Sequence, residues 1–205
     1  MQKFNVNKVA AGVGLVAVVV GQGQALAETV PASASVSVQN TFTLTQVQPL
    51  AFGTIRAVAQ ADGANSATVV ISPVPSTAPA AASLGTASAQ VITAGTPGQF
   101  SVAGAAPFAN LNINFPATQT NLTAPASPPG TPKFFIAATT GWDAYITSGP
   151  NANTAYNDTS PNLQTSATGA VNFNLGATLS TDNVATTLPY ADATYTGNFN
   201  LVVVY

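Results

Sequence analysis

Period-two alternation constrains this chain more than any other feature. From Val30 the even positions read Val30, Ala32, Ala34, Val36, Val38, Asn40, Phe42 and Leu44, while the odd positions from Ser35 to Thr45 are Ser, Ser, Gln, Thr, Thr and Thr. Such a pattern puts apolar side chains on one face of a strand and polar ones on the other. Extended from 36 to 44, it spans about 30 Å, longer than an ordinary strand, so a break at Asn40 into two strands is the alternative. The same theme closes the sequence. Tyr195, Phe199, Leu201, Val203 and Tyr205 fall on one side of a second alternation, and on the other side Asn198 and Asn200 give way to Val202 and Val204. The expectation is a terminal strand over residues 195–205 that passes from half-buried to buried on both faces.

Between these ends the pattern recurs in short pieces stopped by turn residues. Residues 49–55 read as a turn and a strand, with Gly53 free to take a backbone conformation that a Cβ resists. Ala67, Val69 and Ile71 alternate, and an Ala- and Pro-rich connection follows from Pro73. Val91-Ile92-Thr93 precedes the turn signal Gly95-Thr96-Pro97-Gly98. Phe100 and Val102 alternate toward Gly104, and Leu111, Ile113 and Phe115 alternate until Pro116. Residues 123–132 hold four prolines and a glycine and read as a loop. Phe134-Phe135-Ile136 fits a strand buried on both faces, with residues 141–146 its candidate hairpin partner. Residues 148–169 read as a long polar loop, and Val171, Phe173, Leu175 and Leu179 resume the alternation. No window has helical spacing with caps. About eight strands separated by turns predict an all-β, antiparallel sandwich, with a barrel as the other solution.

The N-terminus reads as an export signal. Lys3 and Lys8 precede an apolar run over residues 10–21, and Ala25-Leu26-Ala27 has the small-x-small form of a cleavage site. The run falls short of the roughly 20 residues that span a bilayer. Residues 1–27 are therefore expected to be a cleaved signal peptide, leaving no membrane segment. Residues 28–48 form a candidate N-terminal donor strand, and residues 49–205 the sandwich. Removing the signal leaves two basic residues, Arg56 and Lys133, against the six acidic ones, a net charge of −4 that argues against nucleic acid as a partner.

Composition narrows the chemistry further. Only 5% of residues are charged, and cysteine and histidine are absent. Disulfide staples, Ser-His-Asp and Cys-His nucleophiles and His-based zinc sites are thereby excluded. A carboxylate pair could still hydrolyse a glycoside, but Asp182 and Asp192 have no neighbours that mark them for it. No enzyme activity, cofactor or metal is expected. Trp142 and Tyr145 are the candidate ligand contacts, as an aromatic pair that could stack on a sugar; the competing reading puts Trp142 in the core. Asp143 and Asp158, with Asn151, Asn153 and Asn157, could offer oxygens to calcium, without the regular spacing of a calcium loop.

Two resemblances bear on function. Residues 49–55, Phe100-Ser101-Val102-Ala103-Gly104, Ile113-Asn114-Phe115-Pro116, Phe173-Asn174-Leu175-Gly176-Ala177 and residues 195–205 resemble, in order, the bacterial surface family catalogued as domain of unknown function 4402. More loosely, a last strand that closes on tyrosine resembles chaperone-usher pilins and spore-coat-U-like subunits. That resemblance implies an immunoglobulin-like sandwich lacking one strand, completed by an N-terminal extension of a neighbouring subunit. It further implies self-association into a fimbria or pilus, cell adhesion, and a periplasmic chaperone and usher as partners. Such pilins often carry a disulfide, which this chain cannot form.

The residues themselves add an independent argument. Residues 32–48 contain neither charge nor proline, the devices by which soluble proteins guard a sheet edge. The expected assembly seam pairs Val30, Val36, Val38, Phe42 and Leu44 with Tyr195, Phe199, Leu201, Val203 and Tyr205. Two readings remain beside a fibre subunit: a self-complete secreted sandwich that binds a glycan or matrix component, and an outer-membrane barrel with Leu201, Val203 and Tyr205 toward lipid.

Overall fold

The structure, a computed structural model, describes Ser33, Ser35 and residues 41–205 apart from Ala126 and Thr187. Val30, Val36, Val38, the expected signal peptide and the break at Asn40 lie outside the described residues. The strands belong to the unit Val38–Tyr205.

The described residues form fourteen strands and no helix. In chain order these begin with β1 (Thr43–Gln48), β2 (Thr54–Val58), β3 (Thr68–Ile71), β4 (Ala80–Ala82) and β5 (Ser88–Thr93). The middle of the chain supplies β6 (Gly98–Ala103), β7 (Asn110–Asn114), β8 (Thr120–Leu122), β9 (Phe134–Ile136) and β10 (Trp142–Ile146). The last four are β11 (Thr154–Ala155), β12 (Leu163–Gln164), β13 (Val171–Thr181) and β14 (Val202–Val204). The excess over the predicted eight comes from pieces of two or three residues, such as β8, β11 and β12, too short for any alternation to show. No helix among the described residues is long and apolar enough to cross a membrane.

β13 is the spine. Its first half pairs with β6 on one side and β10 on the other, and its second half with β3 and β9. Ala177 faces both Trp142 of β10 and Ile71 of β3, so β3 continues the line of β6 and β9 that of β10. β9 and β10 are therefore successive pieces of one interrupted strand, not the hairpin that the sequence suggests. Period two shows which side chains face inward and is silent about which neighbour accepts the hydrogen bonds.

β1 extends this sheet beyond β6, β11 extends it beyond β10, and β4 and β8 flank β3 and β9. The path β1-β6-β13-β10-β11 has two ends and does not close into a barrel. Two smaller sheets complete the all-β sandwich, β12-β7-β14 and the ribbon β2-β5; every ladder is antiparallel. The inward face of β13, Val171, Phe173, Leu175, Ala177 and Leu179, is buried and joins Val102, Leu111, Ile113, Leu163 and Val203 in one core. Burial of this kind stabilises by about 25 cal/mol per Å² of apolar surface.

Local chemistry explains two close approaches. Gly53 has φ of 76°, and a Cβ there would run into the Thr93 carbonyl, so the β2-β5 ribbon depends on glycine at its base. Gly176 has no such dihedral. It is held to glycine by the backbone of Ile71 and Pro73, which crosses where a side chain would stand.

Candidate assembly surface

Edge strands position the surface of interest. β1 pairs only with β6, and β14 only with β7, so each keeps one side without a ladder partner among the described residues. β1 carries a register shift between Gln46 and Gln48 that turns Val47 out to solvent, a common way of bending an edge. Neither strand holds a charge.

Several expected seam residues come together in one chain. Phe42 meets Tyr205 edge-on, with centroids 5.4 Å apart, and the Tyr205 hydroxyl accepts a hydrogen bond from Ala106 N at 3.0 Å. Leu44 lies opposite Val102 in the β1-β6 ladder, and Val203 opposite Ile113 in the β14-β7 ladder. Phe199 rests on the indole of Trp142, with centroids 4.5 Å apart. Leu201 is half-buried against the core. Tyr195 stands apart from these, in a cluster with Phe134 and Tyr190. Thr43–Gln48, part of the candidate donor stretch, is thus a strand of the chain's own sheet.

The terminal strand differs from its prediction. Only Val202–Val204 is strand, and Thr196 makes an isolated bridge to Thr123. The face carrying Tyr195, Phe199, Leu201 and Val203 does turn inward. Val202 and Val204 do not become buried; they are 47% and 38% exposed, as is Tyr205 at 47%. The reason is that β14 is the last strand of a small sheet, with one edge and its outer face uncovered among the described residues.

The candidate ligand pair does not form a site. Trp142 is only 6% exposed, with its ring among core residues and its indole N–H without an acceptor among the described residues. Tyr145 lies three residues along the same strand, an odd separation that puts it on the opposite face. The polar loop that holds several of the calcium candidates is laced by its own amide side chains. Asn157 Oδ1 accepts from Thr159 N and Ser160 N, Asn162 Oδ1 accepts from Asn157 N, and Asn151 Nδ2 donates to Asn162 O. The Asp143 carboxyl is pushed above the usual range by partial burial, with the charge of Asp158 adding to the shift and a hydrogen bond from Ala144 N opposing it.

Sequence reasoning missed the aromatic cluster and the groove beside it. Phe134 and Tyr190 stack with centroids 4.3 Å apart, and Tyr195 meets Phe134 edge-on at 5.0 Å. The Tyr190 hydroxyl donates to Lys133 O at 3.1 Å and accepts from Asp182 N at 2.8 Å. Burial raises the Tyr190 phenol well above its ordinary range. The buried Asp182 carboxylate accepts from Lys133 N and Val184 N, which fixes the start of the segment that carries the tyrosines. Tyr190 stands alone after Pro189 with no periodic neighbours, so no pattern announced it.

Against this cluster runs a groove of about 860 Å³. It is lined by residues 50–57, which include most of β2, and by residues 190–195. Leu122, Phe134 and Leu179 add apolar lining, and Arg56 and Asp192 are its charged residues. Among the described residues β2 has β5 as its one ladder partner.

The chain matches no family model, and neither a curated protein nor a solved structure matches it.

Proposed function

We propose that this chain is an exported cell-surface structural subunit that assembles into a fimbria-like fibre by β-strand addition. The observation that carries the reading is that the strands with one edge left without a ladder partner among the described residues, β1, β2 and β14 among them, hold a single charge, Arg56. An edge without lysines, prolines or inward charges recruits another strand. The uncharged alternation from Val30 to Val38 supplies a strand of the right character. Cleavage after Ala27, transit through a periplasm, and a chaperone and usher belong to this reading, as does membership in the bacterial surface family named above. The rival, a glycan-binding sandwich, loses its anchor because Trp142 is buried.

The test is direct. Secreted by a bacterial host, the full chain is expected to form fibres visible by electron microscopy and a ladder of oligomers in unheated gel samples. Deleting residues 28–38 should leave folded monomers. A full chain that stays monomeric, with a melting temperature unchanged by the deletion, would overturn the proposal.

A further inference from the structure

We infer that the outer face of the large sheet carries a binding site for a neutral saccharide, built on Gln99, Ser101, Asn172, Asn174 and Tyr145. The site lies on a face within one chain and not on the strand edges of the fibre reading, so it stands apart from assembly. It is also a different surface from that of the inward-facing Trp142.

Strand parity places these side chains. Phe100, Val102, Val171, Phe173, Ala144 and Ile146 are buried in the core, so Gln99 and Ser101 of β6, Asn172 and Asn174 of β13, and Tyr145 of β10 stand on the other face. The ladders align them in rows. Gln99 lies opposite Asn174, which lies opposite Tyr145; two residues along, Asn172 lies opposite Ser101, which lies opposite Thr45 of β1. Rows of this kind are about 7 Å apart.

The chain after β3 gives the face its relief. Ile71 pairs with Ala177 and Gly98 with Leu175, so β6 already holds the place where β3 would continue along β13. The chain is forced off the sheet. It crosses Gly176, where Pro73 N would lie 2.6 Å from an added Cβ, and Asn174, whose Nδ2 donates to Pro73 O at 3.0 Å. A cleft of about 610 Å³ includes Pro75 of this crossing in its lining, together with Val47 and the amides and hydroxyl of Gln99, Ser101, Asn172 and Asn174. That volume suits a small ligand.

Hydrogen-bonding capacity is left over in the cleft. Asn174 is only 6% exposed and its amide is fixed by Pro73, yet its Oδ1 accepts from no described residue. The side chains of Gln99, Ser101 and Asn172 likewise bond to no described residue. Polar groups held in place beforehand bind at lower entropic cost.

Backbone and charge select the ligand. β6 lies between β1 and β13, and β13 between β6 and β10, so a peptide finds no open row of N–H and C=O groups to join. Recognition falls to the side chains. They are amides and hydroxyls, which both donate and accept, as the hydroxyl groups of a saccharide do. Among the described residues no charged residue lines the cleft. Asp143 is the sole charge on any strand of the large sheet, and it shares Tyr145's face one row along β10. A carboxylate or sulfate on the ligand would meet repulsion there and no cation. Tyr145, half-buried beside Asn174, supplies aromatic surface for a sugar ring.

The test is an array of immobilised neutral oligosaccharides of the gluco, galacto, manno and xylo series, with uronic-acid oligosaccharides, sulfated oligosaccharides and uncharged peptides on the same slide. The full chain, detected by antibody, is expected to bind at least one neutral series and neither anionic set. Gln99→Ala with Asn172→Ala should weaken that binding by about tenfold or more, with the melting temperature unchanged because neither amide bonds to a described residue. Tyr145→Ala should weaken it to a similar degree, while Tyr145→Phe keeps the ring and should keep most of the binding. Asn110→Ala, exposed on β7 of another sheet, should change nothing. Failure to bind any neutral series, or binding that survives the double substitution, would overturn the site. Equal binding to the anionic sets would overturn the neutral class, and binding confined to peptides would overturn the saccharide assignment in favour of a protein partner. Monomers and fibres both read out on the array, so none of these outcomes depends on whether the chain assembles.

Discussion

The rings of Phe42 and Tyr205 meet edge-on at 5.4 Å and 76°, joining the start of the first strand to the last residue of the sequence. Such a pair is worth about 0.5–1.5 kcal/mol beyond its buried area. A double-mutant cycle with Phe42→Ala and Tyr205→Ala, followed by urea melts, should return a coupling energy in that range. Tyr205→Phe keeps the ring and loses the bond from Ala106 N, so it should cost about 1 kcal/mol.

Trp142 separates volume from polarity. Its indole N–H is buried with no acceptor among the described residues, and an unsatisfied buried donor costs about 1–3 kcal/mol. Trp142→Phe removes that cost while opening a small void, so its stability should fall within about 1 kcal/mol of the parent. Trp142→Ala should lose about 3–5 kcal/mol in the same urea melts, because Phe199 and the core would collapse only in part.

Gly176 sits at the middle of the spine strand. An added Cβ would lie 2.6 Å from Pro73 N and meet the Ile71 carbonyl, both backbone atoms that cannot swing aside. Gly176→Ala should therefore destabilise by about 3 kcal/mol, the upper end of over-packing. The neighbouring Thr178→Ala, on a half-buried side chain, should cost far less in a matched thermal melt.

Tyr190 predicts an alkaline limit. Its phenol is raised by burial, as is that of Tyr156. In the pH range above the unfolded value of about 10, the native state holds protons that the unfolded chain has lost, so stability is complete below that value and falls as pH rises past it. Denaturant midpoints should be flat from neutral pH to about 10 and decline beyond. Tyr190→Phe should lower stability at neutral pH by about 1–2 kcal/mol, through loss of the Asp182 and Lys133 bonds, and show a shallower alkaline decline.

How much of this was legible depended on whether a feature was carried by the period of the sequence. Phe100 with Val102, Leu111 with Ile113, and Val171 with Phe173 and Leu175 alternate, and each group is buried as its spacing predicts. Phe134-Phe135-Ile136 is buried throughout, as an unbroken apolar run on an inner strand should be. The pattern failed where the answer lay in neighbours. Val202 and Val204 look like core by composition and are exposed because no described layer covers β14. The collinearity of β9 and β10 depends on their common partner β13, some forty residues later, which no local signal encodes. The groove beside Tyr190 is hidden for the same reason, since the segments that line it are more than a hundred residues apart in sequence.

The position of β13 in the chain has a consequence for when the protein can fold. β3, β6, β9 and β10 all hydrogen-bond to a strand that begins at Val171, so the large sheet has no centre until five-sixths of the chain is available. Pairings over such sequence separations form slowly, because each closes a long loop before any contact rewards it. A chain threaded through a membrane N-terminus first would wait with its uncharged strands exposed, at the stage when they are most prone to pair with other copies. For the exported subunit proposed above, the order of the strands would set folding after translocation, and the interval between them is when a holding factor would matter most.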